Sequence, residues 1–355
     1  VNLSEARREY AAKFKPNPWI YWTDFLASAG LSWAALALAV LSEPLSLPHI
    51  VATMVGIFAM LRAVLFIHEL AHLKRRALPF FEIAYNLFFG IPFLAPSLLY
   101  TGSHGDHHRQ NLFGTAGDPE YAGIARWNTL HVLFFVVSIV AAPALLVLRF
   151  GLLGPISFVV PPLRRLIVGR ASALVINNAY DRPSPKGKDL RSFVVQELAA
   201  AVWIWSLVAL FANDILSPMW AMQWFAVAAG TLLVNQIRTL AAHRYVNDGH
   251  KLTVEEQLLD SINLDGGSFL TALAAPVGLR FHALHHFLPN VPYHALPALH
   301  QALLKELPSN SAYRESSQSS IMSAVYKLLL GKPLDDLKGV YRPVKAHSHV
   351  ESDKD

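Results

Sequence analysis

Nine histidines fall into four groups with metal-ligand spacing. They are His68-Glu-Leu-Ala-His72, His104-Gly-Asp-His107-His108, a lone His243, and His282-Ala-Leu-His285-His286. Residues three or four apart share one face of a helix. Each pair or triplet can therefore aim its imidazoles at a common ion, and both triplets repeat the same HxxHH pattern. Neutral imidazole suits Fe, Cu, Zn and Ni. Nine ligands are too many for one ion and fit two ions with about four or five each. Of the sixteen histidines, the other seven read as structural. His49, His131, His250, His347 and His349 look like surface or interfacial residues, while His294 and His300 follow the last group closely enough to support it.

Carboxylates commonly orient ligating histidines by accepting the second ring N–H. Glu69 and Asp106 lie inside the first two groups, and Asp118 follows in Gly-Asp-Pro-Glu. Asp118 before Pro119 equally reads as a helix cap. A competing reading uses His68, Glu69 and His72 as the HExxH signature of a zinc protease, with Glu69 as general base. Asp265, in Asn263-Leu-Asp-Gly-Gly267, would then be the third zinc ligand of an intramembrane protease. That reading leaves seven clustered histidines idle, as a simple metal store or sensor leaves the chemistry idle. The two-ion reading uses all nine and treats Asn263–Gly267 as a turn.

The elements that must hold these residues are apolar. Of 355 residues, 53% are hydrophobic and 15% charged, with mean hydropathy +0.34. Soluble domains carry about 25% charged residues. Four segments are long enough to span a bilayer, which takes about 20 apolar residues: Trp19–Leu41, His49–Ile67, Ser192–Ala212 and Ser217–Ile237. Trp19, Tyr21, Trp22, Trp220 and Trp224 sit at headgroup level. The linkers Ser42–Pro48 and Asn213–Leu216 lack Lys and Arg, whereas the other loops carry Lys74, Arg75, Arg76, Arg109 and Arg126, and then Arg164, Arg165, Arg170, Arg182, Lys186, Lys188 and Arg191. The positive-inside rule puts the termini, both long loops and all four histidine groups on the cytosolic side. It also accounts for the net charge of +5 and pI near 9.3 without nucleic acid. Asn86–Leu99 is too short to span and reads as re-entrant or interfacial. Thr129–Pro162, broken by Pro143, Arg149, Gly151, Gly154 and Pro155, reads as a shallow hairpin in the interface.

The expected fold is thus an all-α membrane protein. Two hairpins of membrane-spanning helices, with interfacial or re-entrant helices, carry a cytosolic histidine-rich cap. Residues 1–18 form a cytosolic or interfacial lead, 19–305 the membrane catalytic domain, and 306–355 a cytosolic tail, polar and loosely ordered after Lys332. The charged start (Glu5, Arg7, Arg8, Lys13, Lys15) shows no signal peptide. The absence of cysteine excludes disulfides, thiolate-bound zinc, Cys-ligated iron–sulfur clusters and covalent c-type haem.

The set HELAH, SHGDHHR and FHALHH resembles the membrane fatty acid desaturase family, whose members carry HxxxH or HxxxxH, HxxHH and a final HxxHH box in this order. HHFLPNVPYHALP resembles the region after the last box in bacterial and sphingolipid-type desaturases. RTLAAHRY, ending at Tyr245, resembles the segment bearing the family's extra histidine. The resemblance covers most of residues 19–305. It implies that His68, His72, His104, His107, His108, His243, His282, His285 and His286 ligate two iron ions, cycling between Fe2+ and Fe3+, that activate O2. Hydrogen is then removed from an acyl chain lying in a narrow apolar tunnel beneath the metals. A second hydrogen loss gives a double bond, the main expectation. Oxygen transfer instead gives an alcohol, so a hydroxylase or ketolase on the same scaffold is the alternative. Box two lacks the longer spacing of membrane alkane hydroxylases. Thr239 stands where some relatives place an Asn that completes the ligand shell through water, leaving Asn235 and Gln236 as nearby substitutes. Two electrons per turnover must come from an external donor of ferredoxin or cytochrome b5 type, since the chain has no cysteine and no HPGG haem segment. The basic face of Lys74, Arg75, Arg76, Arg164 and Arg165 could dock an acidic donor.

Overall fold

A computed structural model describes residues 3–11, 13–74 and 77–332. Arg75, Arg76, His347, His349 and the tail beyond Lys332 lie outside the described residues. Helix α1 (Pro18–Leu41) starts where the Asn17 side chain accepts the Trp19 N–H at 3.0 Å, with proline in the first turn. That is the favoured chemistry of a helix start. The run ends at Ser42, and Leu45 turns the chain in the left-handed region at φ 63°. Ser46 then caps α2 (Leu47–His72), which packs along α1 and tightens at Leu65 before delivering box one in its last turns.

Four helices are long and apolar enough to cross a membrane: α1, α2, α3 (Thr129–Ser157) and α4 (Gly187–Ala212). The number agrees with the sequence reading, but one member differs. The expected fourth span is indeed a helix, α5 (Met219–Leu240), yet it falls outside that set. The reason is its position. It lies against α1, α2 and α3, and its polar side chains bond to those neighbours rather than meeting lipid. Gln223 donates to Thr53 at 2.7 Å, Thr231 to the Ile57 carbonyl at 3.0 Å, and Gln236 to the Phe135 carbonyl at 3.3 Å. Gly230 permits the approach to α2, because a Cβ there would sit 2.6 Å from Ile57 Cδ1. Small residues allow such close helix packing in membranes. An apolar cavity of about 590 Å³, lined by Trp33, Leu207, Phe211 and Trp224 among others, opens between α4 and α5.

The stretch expected as a shallow hairpin is α3, a single helical run that absorbs its glycines and prolines in a 3₁₀ turn at Ile139–Ala141 and a π turn at Arg149–Leu153. Such local rewinding is how helices accommodate these residues. Its first turns pack on Phe113 and Tyr121, just after box two. Near its far end Arg149 bonds Ser172 and Glu197, each at 2.6 Å. Arg182 in turn joins the Ser172 carbonyl to the carbonyls of Leu98 and Thr101, just before box two. The loops on either side of α3 therefore meet on one side of the molecule. Asn86–Leu99 folds back on itself, with Asn86 bonded to Ser97 N and Oγ at 2.8 and 2.9 Å.

The cap is tied together by very little sheet. His243 bridges Ser261, Asn263 bridges Phe281, and Asn263–Leu264 pairs in parallel with Ser317–Gln318. Part of the expected Asn263–Gly267 turn is thus a two-residue strand. Order continues past the boundary expected at residue 305. Helix Ile321–Leu329 packs on Leu240, Ile262 and Leu264, so residues 306–332 belong to the packed body. The N-terminal helix Leu3–Tyr10 joins the same cap, with the Tyr10 hydroxyl donating to Glu306 at 2.7 Å.

Candidate metal centre

The four histidine groups, scattered over the sequence, converge into two clusters. His68, His72, His104, His108 and His285 form one, and His107, His243, His282 and His286 the other, with the ring nitrogens of each cluster within 4.8 Å of one another. The two triplets do not each fall within one cluster, as their shared spacing suggested. On the helix His104–His107 and its following residue, His104 and His108 face one cluster and His107 the other. On the helix His282–Phe287 the division is reversed: His282 and His286 share a cluster, and His285 crosses to the first. Members of an i,i+4 pair are about 40° apart around a helix, whereas the i+3 residue lies about 60° to the other side. That angle separates the two destinations.

The cluster geometry could hold a metal ion in each group. In the first cluster Nε2 of His72 lies 2.9 Å from that of His104 and 3.0 Å from that of His285, and His104 and His108 are 3.0 Å apart. In the second, His282 Nε2 is 2.9 Å from His243 and 3.1 Å from His286. Several of the outer nitrogens are committed elsewhere. His104 Nδ1 donates to Glu120 at 2.6 Å and His107 Nδ1 to Asp118 at 2.8 Å. Their Nε2 atoms then carry lone pairs aimed into the clusters, where they can ligate an ion. Both ring nitrogens of buried His68 lack a hydrogen-bond partner, an arrangement that is unfavourable unless a metal takes one. Burial, reinforced by neighbouring imidazoles, holds His104, His108, His282, His285 and His286 well below the ordinary histidine range. They remain neutral and able to ligate. Burial opposes charge on His107 most strongly, but Asp118, Glu120 and Asp260 together raise that residue. An all-imidazole donor set of this kind fits iron.

Around the rings stand groups that fix them. Fully buried Asp118 holds His107 and also accepts the N–H groups of Gly114 and Glu120 at 2.8 and 2.9 Å. It organises a tight loop rather than capping a helix. Glu120, pushed up to about 7 by burial, also accepts the Tyr100 hydroxyl at 2.7 Å, and the Tyr100 ring stacks on His104 at 4.5 Å. Asp260 lies 3.4 Å from His243 Nδ1 while accepting the Tyr121 hydroxyl at 2.9 Å.

Glu69 turns toward the helices, accepting the Tyr21 hydroxyl and the Tyr293 N–H, and stays 3.7 Å from His68 Nδ1. Asp106 bonds Tyr180 and Arg109, each at 2.8 Å, rather than a histidine. Asn235 accepts from Arg238 at 3.1 Å and Gln236 donates to the Phe135 carbonyl of α3. Asp265 lies 3.4 Å from His300 Nε2 and is absent from both clusters, which removes the proposed third ligand of a zinc protease. His300 bonds Tyr313 at 2.6 Å and His294 accepts the Asn17 N–H at 3.1 Å, both structural roles. Glu120, Asp260 and Tyr100 escaped the sequence reading. Glu120 was visible in Gly-Asp-Pro-Glu, whereas nothing local marks Asp260.

Comparison with known proteins agrees with this geometry. Residues 44–317 match the family described as fatty acid desaturase. A ceramide hydroxylase of Caulobacter vibrioides (strain NA1000 / CB15N) is 37% identical over 310 residues, covering 87% of this chain and 88% of that protein. No solved structure matches. The chain belongs to the fatty acid desaturase family of membrane oxidoreductases.

Proposed function

We propose that this protein is an O2-dependent, di-iron lipid hydroxylase acting on a ceramide-like sphingolipid. The observation that carries the reaction is the similarity to a ceramide hydroxylase along nearly the whole chain, which favours the alternative over desaturation. Two histidine clusters supply the place for two iron ions, His68, His72, His104, His108 and His285 for one, and His107, His243, His282 and His286 for the other. Bound iron would supply the activation of O2 and the attack on an unactivated C–H bond. The balance is R–H + O2 + two electrons + two protons giving R–OH + H2O. The electrons come from an external ferredoxin- or cytochrome b5-type donor. The cluster side faces the cytosol by the distribution of Lys and Arg, and the basic residues there, including Lys74, Arg164 and Arg165, receive an acidic donor.

The chain's own contribution is position and exclusion. Asp118 and Glu120 hold Nδ1 protons, keeping Nε2 free to ligate. Phe113 stacks on His107 at 5.4 Å and closes the second cluster against water. Tyr21 and Tyr293 anchor Glu69, fixing box one to the loop after box three. The test is to purify the protein in detergent with iron, measure metal per chain, and analyse ceramides incubated with O2 and a reduced donor by mass spectrometry. About two irons and a gain of one oxygen atom per ceramide are expected. Loss of two hydrogens without oxygen would restore desaturation. One zinc that survives His107→Ala would overturn the di-iron reading.

A further inference from the structure

Beyond the last histidine box the helix Ile321–Leu329 is apolar on two faces. Ser320 starts it by accepting the Ser323 N–H at 3.2 Å, and Gly331, at φ 67°, ends it. Both are favoured choices at those positions. Ile321, Ala324 and Leu328 make the inner face and are buried. Met322 and Tyr326, with Leu330 at the helix end, make the outer face and are 69%, 64% and 51% exposed. Residues four apart share one side of a helix, so these three form a single stripe. A helix apolar all round needs apolar cover on every side. Among the described residues, protein covers this one on its inner face only.

The helix sits where membrane helices end. Val325, Leu328 and Leu329 join the apolar cluster that holds Val132 of α3, Leu240 of α5, Phe113 and Tyr121. Ile321 and Ala324 pack with Ile237 of α5 and with Ala274. The Ile321 N–H donates to the Thr271 hydroxyl at 3.3 Å, which ties the helix to a shorter one, Phe269–Ala274, packed against α2 and α5. Phe269 and Leu270 are exposed as well, and so are Leu130 and Phe134 in the first turns of α3. The bare stripe therefore adjoins the apolar surface of helices long enough to cross a membrane. Lys327, which donates to Gln318 at 2.9 Å, and exposed Lys332 lie at its edge. Basic residues beside an apolar stripe suit the boundary between headgroups and acyl chains. The inner face meanwhile backs the second histidine cluster. Phe113 stacks on His107, and the Tyr121 hydroxyl donates to Asp260 beside His243.

We infer that helix Ile321–Leu329 lies flat in the leaflet nearer the histidine clusters, with Met322, Tyr326, Leu330, Phe269 and Leu270 set into lipid, and that this contact steadies the wall of the second cluster from behind. The partner of this face is a lipid surface. Part of the segment expected as a cytosolic tail is then a membrane-seated element. The lipid contact is independent of the reaction proposed above, whereas its effect on bound metal rests on the two-ion reading.

The chain has no cysteine, so one introduced thiol is a unique labelling site. Met322→Cys, Tyr326→Cys, Leu330→Cys and Leu270→Cys each carry a nitroxide in the full-length protein, reconstituted into vesicles of phosphatidylcholine and phosphatidylglycerol. Collisions with O2, which concentrates in lipid, are compared with collisions with a water-soluble nickel chelate. Phe134→Cys on α3 is the lipid reference, and Ser309→Cys, exposed after the helix Leu296–Glu306, is the aqueous one. The four labels should favour O2 as Phe134→Cys does, at a depth of about 5–10 Å below the headgroup boundary. Labels as open to nickel as Ser309→Cys would overturn the inference. So would labels shielded from both reagents, which would place protein on this face. Broadening between labels on two chains would then identify a second copy, and its absence the chain's own residues past Lys332. Met322→Glu combined with Tyr326→Glu should move the Leu330→Cys label into water and lower the iron kept per chain after dialysis against a chelator, whereas Ser309→Glu should do neither. Iron held at the wild-type level while the label moves into water would overturn the link to the second cluster. Wild-type protein that binds no iron would sink the two-ion reading and leave the lipid seat standing.

Discussion

Asp118→Asn should strip iron selectively from the cluster of His107, His243, His282 and His286. Asp118 is fully buried and accepts the His107 Nδ1 proton at 2.8 Å, while also holding the N–H groups of Gly114 and Glu120. Asparagine keeps the shape and one acceptor oxygen but removes the charge. A hydrogen bond to a charged group contributes about 1.5–3 kcal/mol, equivalent to roughly ten- to a hundredfold in an equilibrium constant. Removing a carboxylate behind a ligating histidine typically weakens metal binding by that same factor, about ten- to a hundredfold. The other cluster has five histidines, none bonded to Asp118, and should hold its ion. Iron would be measured per chain after dialysis against a graded series of chelator concentrations. The wild type should lose iron late, and Asp118→Asn should pass through a plateau near one iron at a chelator concentration lower by that factor. Asp106→Asn is the matched control, since Asp106 bonds Tyr180 and Arg109 instead of a histidine. Equal iron loss from both variants, or none from Asp118→Asn, would refute the assignment.

Three further outcomes follow from the same geometry. His285→Ala and His286→Ala, neighbours in sequence, should each abolish lipid oxidation yet lose different ions; spectra of the remaining iron that are identical in the two variants would contradict the division of box three. Gly230→Val should destabilise the protein by about 1–3 kcal/mol through overpacking, because its Cβ would meet Ile57 at 2.6 Å; a thermal melt that Ile57→Ala fails to restore in the double variant would argue against that contact. Asp265→Asn should leave both iron content and product formation unchanged; an effect as large as that of His72→Ala would revive a ligand role for Asp265.

The histidines were legible because their spacing is local. A pair at i and i+4 declares a shared face without any knowledge of the rest of the chain, and nine of them with few alternatives point to two ions. The distribution between the two clusters was not legible, because it depends on how two short helices and the end of α2 are rotated about one another. The carboxylates divide in the same way. Asp118 and Glu120 lie just past box two, where Asp118 was a candidate, whereas Asp260 reaches His243 only through the bridge between His243 and Ser261. Hydrophobic content located the helices well but misjudged their surroundings. Helix α3 is apolar and left largely uncovered by the rest of the protein, while α5 places glutamines inside the bundle, where neighbouring helices accept from them. Asp106 bonds Tyr180 and Arg109, a placement its sequence position inside a histidine box does not announce.

The pairing of Asn263–Leu264 with Ser317–Gln318 has a consequence for how the protein is made. Asn263 takes its partner from the late segment, its N–H donating to the Ser316 carbonyl at 2.9 Å. Its side-chain oxygen accepts the Leu284 N–H at 3.0 Å, in the middle of box three. Arg244, next to His243, likewise reaches the Glu315 carbonyl at 2.6 Å. During synthesis boxes one and two leave the ribosome long before residues 315–318 do, and the helices can insert into the bilayer meanwhile. Box three and His243 acquire their last supports only when that late strand arrives. Completion of the candidate metal site therefore waits on residues 315–318, and a chain stopped before Ser316 would lack the contacts that support His243 and box three.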